Sequence, residues 1–219
     1  MALAFPLSLA AFADVLKVQA LAIELGGAVE QSRTAAGQQF TASLGARLWT
    51  GHVTLAPSAT ATVAAMQAAL HRLTDPDASF LVGDWSQQYP AYDPTGSILG
   101  AASVTINALV AGNRELKLIG LPNGYKIQPG DYLSFTYGSA PLRYAYHQVV
   151  TGATSTGAGI ATTNIEVMPP IRPGAVTGAA VVLKQPRMKA VIEAGSLSAR
   201  TARAVISEGL SFRFVQTLG

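Results

Sequence analysis

The sequence contains no cysteine at any of its 219 positions. That removes disulfide frameworks, thiol nucleophiles and every zinc site built on thiolates. Charge is scarce as well: Asp, Glu, Lys and Arg together make up 12% of the chain, against 49% hydrophobic residues. A folded surface of this composition is poor in charge and suits burial against copies of itself. The 15 Lys and Arg outnumber the 12 Asp and Glu, but they are scattered, and no run of them forms a basic stripe for a nucleic-acid partner. Histidine is limited to His52, His71 and His147, with no HExxH-like spacing, so no metal site is read from them. No stretch reaches the roughly 18 uninterrupted apolar residues of a membrane-spanning helix, because Lys, Arg, Asp or Gly interrupts each candidate, and a soluble protein without a membrane partner is expected.

The length allows one large domain or two small ones, each able to bury a core without a staple. The opening, MALAFPLSLAAFAD, has an apolar run ending Ala11-Phe12-Ala13 that is similar to a secretory leader. No Lys or Arg precedes the run and Pro6 lies inside it, so a retained apolar N-terminal arm is expected. Segments 15–23 and 46–55 are short runs of Val, Leu, Ile, Trp and Thr ending at Gly or Pro and read as strands. Between them, GGAVEQSRTAAGQQF has little periodicity and reads as a long exposed hairpin loop that could reach a neighbour.

After Pro57, Ser58 is expected to cap a helix whose Val63, Met66, Leu70 and Leu73 recur at spacings of three and four, and Asp75-Pro76 should stop it. A short strand at 79–82 leads into Gly83-Asp84-Trp85. A Tyr-, Pro- and Gly-rich passage then precedes strand candidates at 103–109, 115–119, 131–137, 143–150, 161–167 and 179–183, close enough to make a small barrel or sandwich. Pro129-Gly130 fits the centre of a type II turn, Asn123-Gly124 is a second tight turn, and TGATSTGAGIA reads as a flexible hairpin tip. Near the end, Leu210, Phe212 and Phe214 alternate with Ser211, Arg213 and Val215, and this segment with 187–194 should rejoin the first strands. The expected fold class is mainly β, a β-rich α+β chain with a sandwich or barrel core and one flanking helix. Residues 1–89 and 185–219 form that core domain, and 90–184 form an inserted small β-barrel domain.

Few residues point to chemistry. Asp75, Asp77 and Asp84, with Asp93 further on, are the best candidates for a carboxylate or calcium site, but Asp75-Pro76-Asp77 is also what a helix end requires, and the spacing fits no EF-hand loop. Gly152, Gly157 and Gly159 lack the G-x-G-x-x-G spacing and the following helix of a phosphate loop. No G-x-S-x-G elbow occurs. Tyr132, Tyr137, Tyr144 and Tyr146 offer a stacking surface for bases or sugars, with basic neighbours only at Lys126 and Arg143. No catalytic, cofactor-binding or metal-binding residue is assigned, and no cofactor is expected.

The order of features resembles the distal tail proteins of long-tailed, siphovirus-like phages and of phage-derived gene transfer agents. The residues that carry it are Phe5-Pro6-Leu7, Leu48-Trp49 with Val53-Thr54-Leu55, the amphipathic helix, Phe80-Leu81, Gly83-Asp84-Trp85, and then IQPGDYLSF, Tyr146 to Val150 and GAGIATTNIEVMPPIRPG. The resemblance implies a non-enzymatic virion component with a tail-tube-like core: a homohexameric ring joining the tail tube above to the tip hub or baseplate below. The tape-measure protein is a further implied partner, and DNA would pass through the lumen without specific binding. It implies assembly in the host cytoplasm and residence at the tail tip. Many such proteins carry their accessory domain at the C-terminus, whereas here the extra module is inserted. The alternatives are a major tail tube or head-tail connector subunit, or a carbohydrate-binding or cell-wall-degrading tail module.

Overall fold

A computed structural model describes residues 4–12, 15–27, 29–110 and 112–219. The protein is mainly β, with 40% of the described residues in strands or bridges and 7% helical. The first part of the chain carries β1 (Val18–Leu25), β2 (Val29–Arg33), β3 (Gln39–Ser43), β4 (Trp49–Leu55), β5 (Ser58–Ala59), the helix α1 (Thr60–Leu73) and β6 (Phe80–Val82). The middle carries β7 (Thr105–Leu109), β8 (Glu115–Ile119), β9 (Lys126–Ile127), β10 (Tyr132–Tyr137), β11 (Arg143–Thr151), β12 (Ala153–Thr154), β13 (Ile165–Met168) and β14 (Val181–Val182). The chain finishes with β15 (Met188–Ile192), β16 (Thr201–Ala202), β17 (Ile206–Glu208) and β18 (Ser211–Gln216). Contacts divide it into two compact units, one of Met1–Ala13, Phe80–Lys189 and Leu218–Gly219, the other of Asp14–Ser79 and Ala190–Thr217. The boundaries expected from composition, 89/90 and 184/185, both lie within the first of these.

In the second unit, β1, β4, β18 and residues 190–192 of β15 lie side by side in that order, each pair antiparallel. The C-terminal strands thus return to pair with the N-terminal ones. Alternation sets which side is covered: Leu210, Phe212 and Phe214 are at most 1% exposed, while Arg213 between them is open to solvent. In β4 the same rule buries Trp49, Gly51, Val53 and Leu55 and leaves His52 exposed. Gly51 faces Phe214 across the pair, and a Cβ there would run into the Phe214 ring, so only glycine leaves room for it. Strand β1 has no strand on its outer side among the described residues.

The helix buries Val63, Met66, Leu70 and Leu73, the stripe read from the sequence, each side chain contributing roughly 1.5–3 kcal/mol of transfer free energy. Its start differs from the expectation. Ser58 is not the cap: it sits with Ala59 in β5, paired with Ser207 and Ile206 of β17, and Ala59 is the N-cap without a side-chain bond. An extended partner distant in sequence therefore holds Ser58 out of the capping geometry. The helix ends at Leu73, with Thr74 as C-cap, and Arg72 bonds Asp75 at 2.8 Å just beyond it. The segment expected to be a long exposed hairpin loop is itself a ribbon, β2 paired with β3 from Val29–Ser43 to Arg33–Gln39, with every residue of both strands exposed.

In the first unit a six-stranded sheet runs β14-β10-β11-β13-β8-β7 and curls into a nearly closed barrel. Its two ends meet at a Thr105–Ala180 bridge, where Val181 N–H donates to Val104 O at 2.8 Å and Gly178 N–H to Ile106 O at 2.7 Å. Closure satisfies edge groups that an open sheet would expose. Leu116, Leu118, Leu133, Phe135, Ile165 and Val167 fill its core. The expected type II turn is present: Gly130 has φ +95° and Asp131 N–H donates to Gln128 O at 3.1 Å. TGATSTGAGIA is shorter as a tip than expected, because Ala153–Thr154 pairs with Lys126–Ile127 and Ser155 bridges to Ala161. The N-terminal arm is packed within this unit: Leu7 bridges to Phe80, and Phe12 lies 4.6 Å from Phe80 between ring centroids. Ala13, the last residue of the leader-like Ala11-Phe12-Ala13, lies outside the described residues. No helix among the described residues is long and apolar enough to cross a membrane.

Candidate functional site

The structure separates the four aspartates singled out in the sequence. Asp75 and Asp77 are exposed at the end of the helix, both on Arg72, which raises the guanidinium's pKa and lowers that of Asp77. Asp84 and Asp93 belong to the other unit and act locally. The Asp84 carboxylate accepts both N–H and O–H of Ser86, at 2.8 and 2.6 Å, a side-chain turn that shapes the start of the following loop. Its own N–H donates to the Tyr146 hydroxyl at 3.1 Å. Asp93 is fully buried and accepts Ile98 N–H at 3.2 Å and Leu99 N–H at 2.8 Å.

Asp131 plays the largest part in holding this loop, and the sequence marked it only as the start of a strand. At 1% exposure its carboxylate accepts Ala91 N–H and Gln128 N–H, each at 2.8 Å, with the Gln87 amide at 3.5 Å. A buried carboxylate is tolerable when several N–H dipoles face it. The barrel turn at 128–131 is thereby tied to residues 87–91. Two further ties come from Gln185, whose N–H donates to Gln88 O at 2.6 Å and whose amide reaches the Gln88 side chain at 3.2 Å. Gly83 completes the arrangement, since any Cβ there would collide with the carbonyl oxygen of Pro186.

This anchored loop lines an open surface cleft of about 300 Å³. Trp85, Tyr89, Pro90 and Pro94 form its apolar wall, and Ser86, Gln87 and Gln88 its polar part; no charged residue lines it. The signal in the sequence was WSQQY at 85–89, two aromatics and two amides within five uncharged residues, but the fold of the loop depends on Asp131 and Gln185 far along the chain.

The tyrosines read as a stacking surface are structural. Tyr132, Tyr137 and Tyr146 are at most 8% exposed, Tyr132 and Tyr146 stack on each other at 5.1 Å, and only Tyr144 is half-buried. Burial raises the pKa of both Tyr132 and Tyr146. Of the histidines, His52 and His71 are exposed and apart, whereas His147 is 2% exposed beside Phe135 in β11. Its Nδ1 lies 2.7 Å from Pro169 O, its Nε2 has no partner, and burial pulls its pKa down to about 4 against the raising effect of the Pro169 bond. The Tyr125 hydroxyl is likewise buried without a partner. No three His, Asp or Glu side chains converge as metal ligands among the described residues. The glycines at 152, 157 and 159 lie in and around the β12 hairpin, with Gly159 at φ +74° in its tip.

No protein-family model matches this chain, and no curated protein matches it.

Proposed function

We propose that the protein is a structural ring subunit of a phage-like tail tip, a distal tail protein that joins the tail tube to the hub below and surrounds the channel for DNA. The observation that carries this reading is the ribbon β2–β3. Both of its faces are open, and Val29 and Phe40 on it are 50% and 52% exposed, with Leu44 just after it at 66%. A two-stranded ribbon covered on neither face is marginal in water, so such an element is built to be covered. The outer edge of β1, which pairs with no strand among the described residues, and the charge-poor composition point the same way, because strand edges and charge-poor surfaces are what subunits of a closed ring bury. The role is architectural, without catalysis, and the ring is a hexamer. Light scattering and negative-stain micrographs of the purified protein test it: six-membered rings, or mass that grows with concentration, are expected. A strict monomer at about 100 μM sinks the reading, and long stacked tubes would make it a tube subunit instead.

A further inference from the structure

We propose that the cleft of loop 85–94 is a carbohydrate subsite that takes one neutral pyranose unit of a glycan. The inference goes beyond the ring assignment and does not depend on it.

Trp85 supplies the first argument. Its indole Nε1 is buried and has no acceptor, yet the residue as a whole is only partly buried. With Nε1 buried, whatever part of the indole ring lines the cleft is ring carbon. A pyranose carries a face of C–H groups that packs on such a surface, and Tyr89 adds a second aromatic wall.

The polar groups supply the second. Gln88 spends its Oε1 on Gln185 and Gln87 spends its Nε2 on Asp131, so one amide keeps an N–H₂ donor and the other a carbonyl acceptor. Ser86 donates its hydroxyl hydrogen to Asp84 and keeps acceptor lone pairs. Neighbouring sugar hydroxyls each donate and accept, which matches a neutral mixture of donors and acceptors. A phosphate, sialic acid or nucleotide would find no counter-charge, because nothing charged lines the cleft.

Size and rigidity complete the case. A cleft of about 300 Å³ is at the small end for ligand sites and suits a single ring. The loop is fixed beforehand by the buried Asp93 and Asp131 carboxylates and by Gln185, so little ordering is left for a ligand to impose.

The test is titration of the full-length protein with maltohexaose, cellohexaose, triacetylchitotriose and a mannotetraose, followed by tryptophan emission and calorimetry. Trp49 is 3% exposed, so the emission change reports Trp85. At least one of these sugars is expected to saturate below about 20 mM. Trp85→Ala should weaken it about tenfold or more, and Gln88→Leu by several-fold, with circular dichroism unchanged. If Trp85→Ala does not fold, the Gln88→Leu arm decides alone. The proposal is overturned if none of the four sugars binds or if binding is unaltered in the folded variants.

Discussion

His147 and Tyr125 show how single buried polar groups shape this protein. His147 is neutral when folded and ionises more readily when unfolded, so between about pH 6.5 and about pH 4 the unfolded chain takes up more protons. Stability is then fully present above the unfolded value and is lost as pH falls towards the folded one, up to ~3 kcal/mol. Urea unfolding across this window should show that loss in the native protein and a much flatter profile in His147→Phe; parallel profiles would refute the assignment. Tyr125 gives the opposite expectation. Its hydroxyl has no partner, so Tyr125→Phe removes an unmet cost and should leave the melting temperature unchanged or raise it, by the equivalent of about 1 kcal/mol. Asp131→Asn turns an amide N–H₂ towards a backbone N–H and should lower stability by ~1–3 kcal/mol, read from denaturant midpoints.

Among the elements, β4 and the loop after β6 depend on glycine for close approach. Gly83→Ala meets backbone, the Pro186 carbonyl, and Gly51→Ala meets the buried Phe214 ring; each should cost ~1–3 kcal/mol in thermal or urea unfolding, with Gly83→Ala the worse, because a ring can shift more readily than a carbonyl. Elements were legible in the sequence where one face is buried. Leu210, Phe212 and Phe214 marked β18, and the spacing of Val63, Met66, Leu70 and Leu73 marked α1, because burial writes its period into the residues. The ribbon at 29–43 carries no strand signal in the sequence because neither face is buried and no period is imposed on it. Ser58 has the residue type of a cap, but its β17 partner is far off in sequence and leaves no local sign. The cleft was invisible for the same reason: WSQQY is in plain view, but Asp131 and Gln185 decide how it folds.

For the molecule as a whole, the proposed ring contact through the ribbon can be tested apart from folding. Replacing Val29–Leu44 by a short Gly-Ser turn removes residues that bury little, so the melting temperature should move by no more than a few degrees while higher-mass species disappear in light scattering. Unchanged oligomers in that variant would place the contacts elsewhere. The barrel has another consequence. Because the strands that open and close it meet at the Thr105–Ala180 bridge, the chain leaves the barrel about one strand spacing from where it entered. Joining the two ends directly would close almost no loop and so would cost little chain entropy. A shortened chain that joins these two ends is therefore expected to keep β4 paired with β18, an outcome that amide hydrogen exchange on that chain would check.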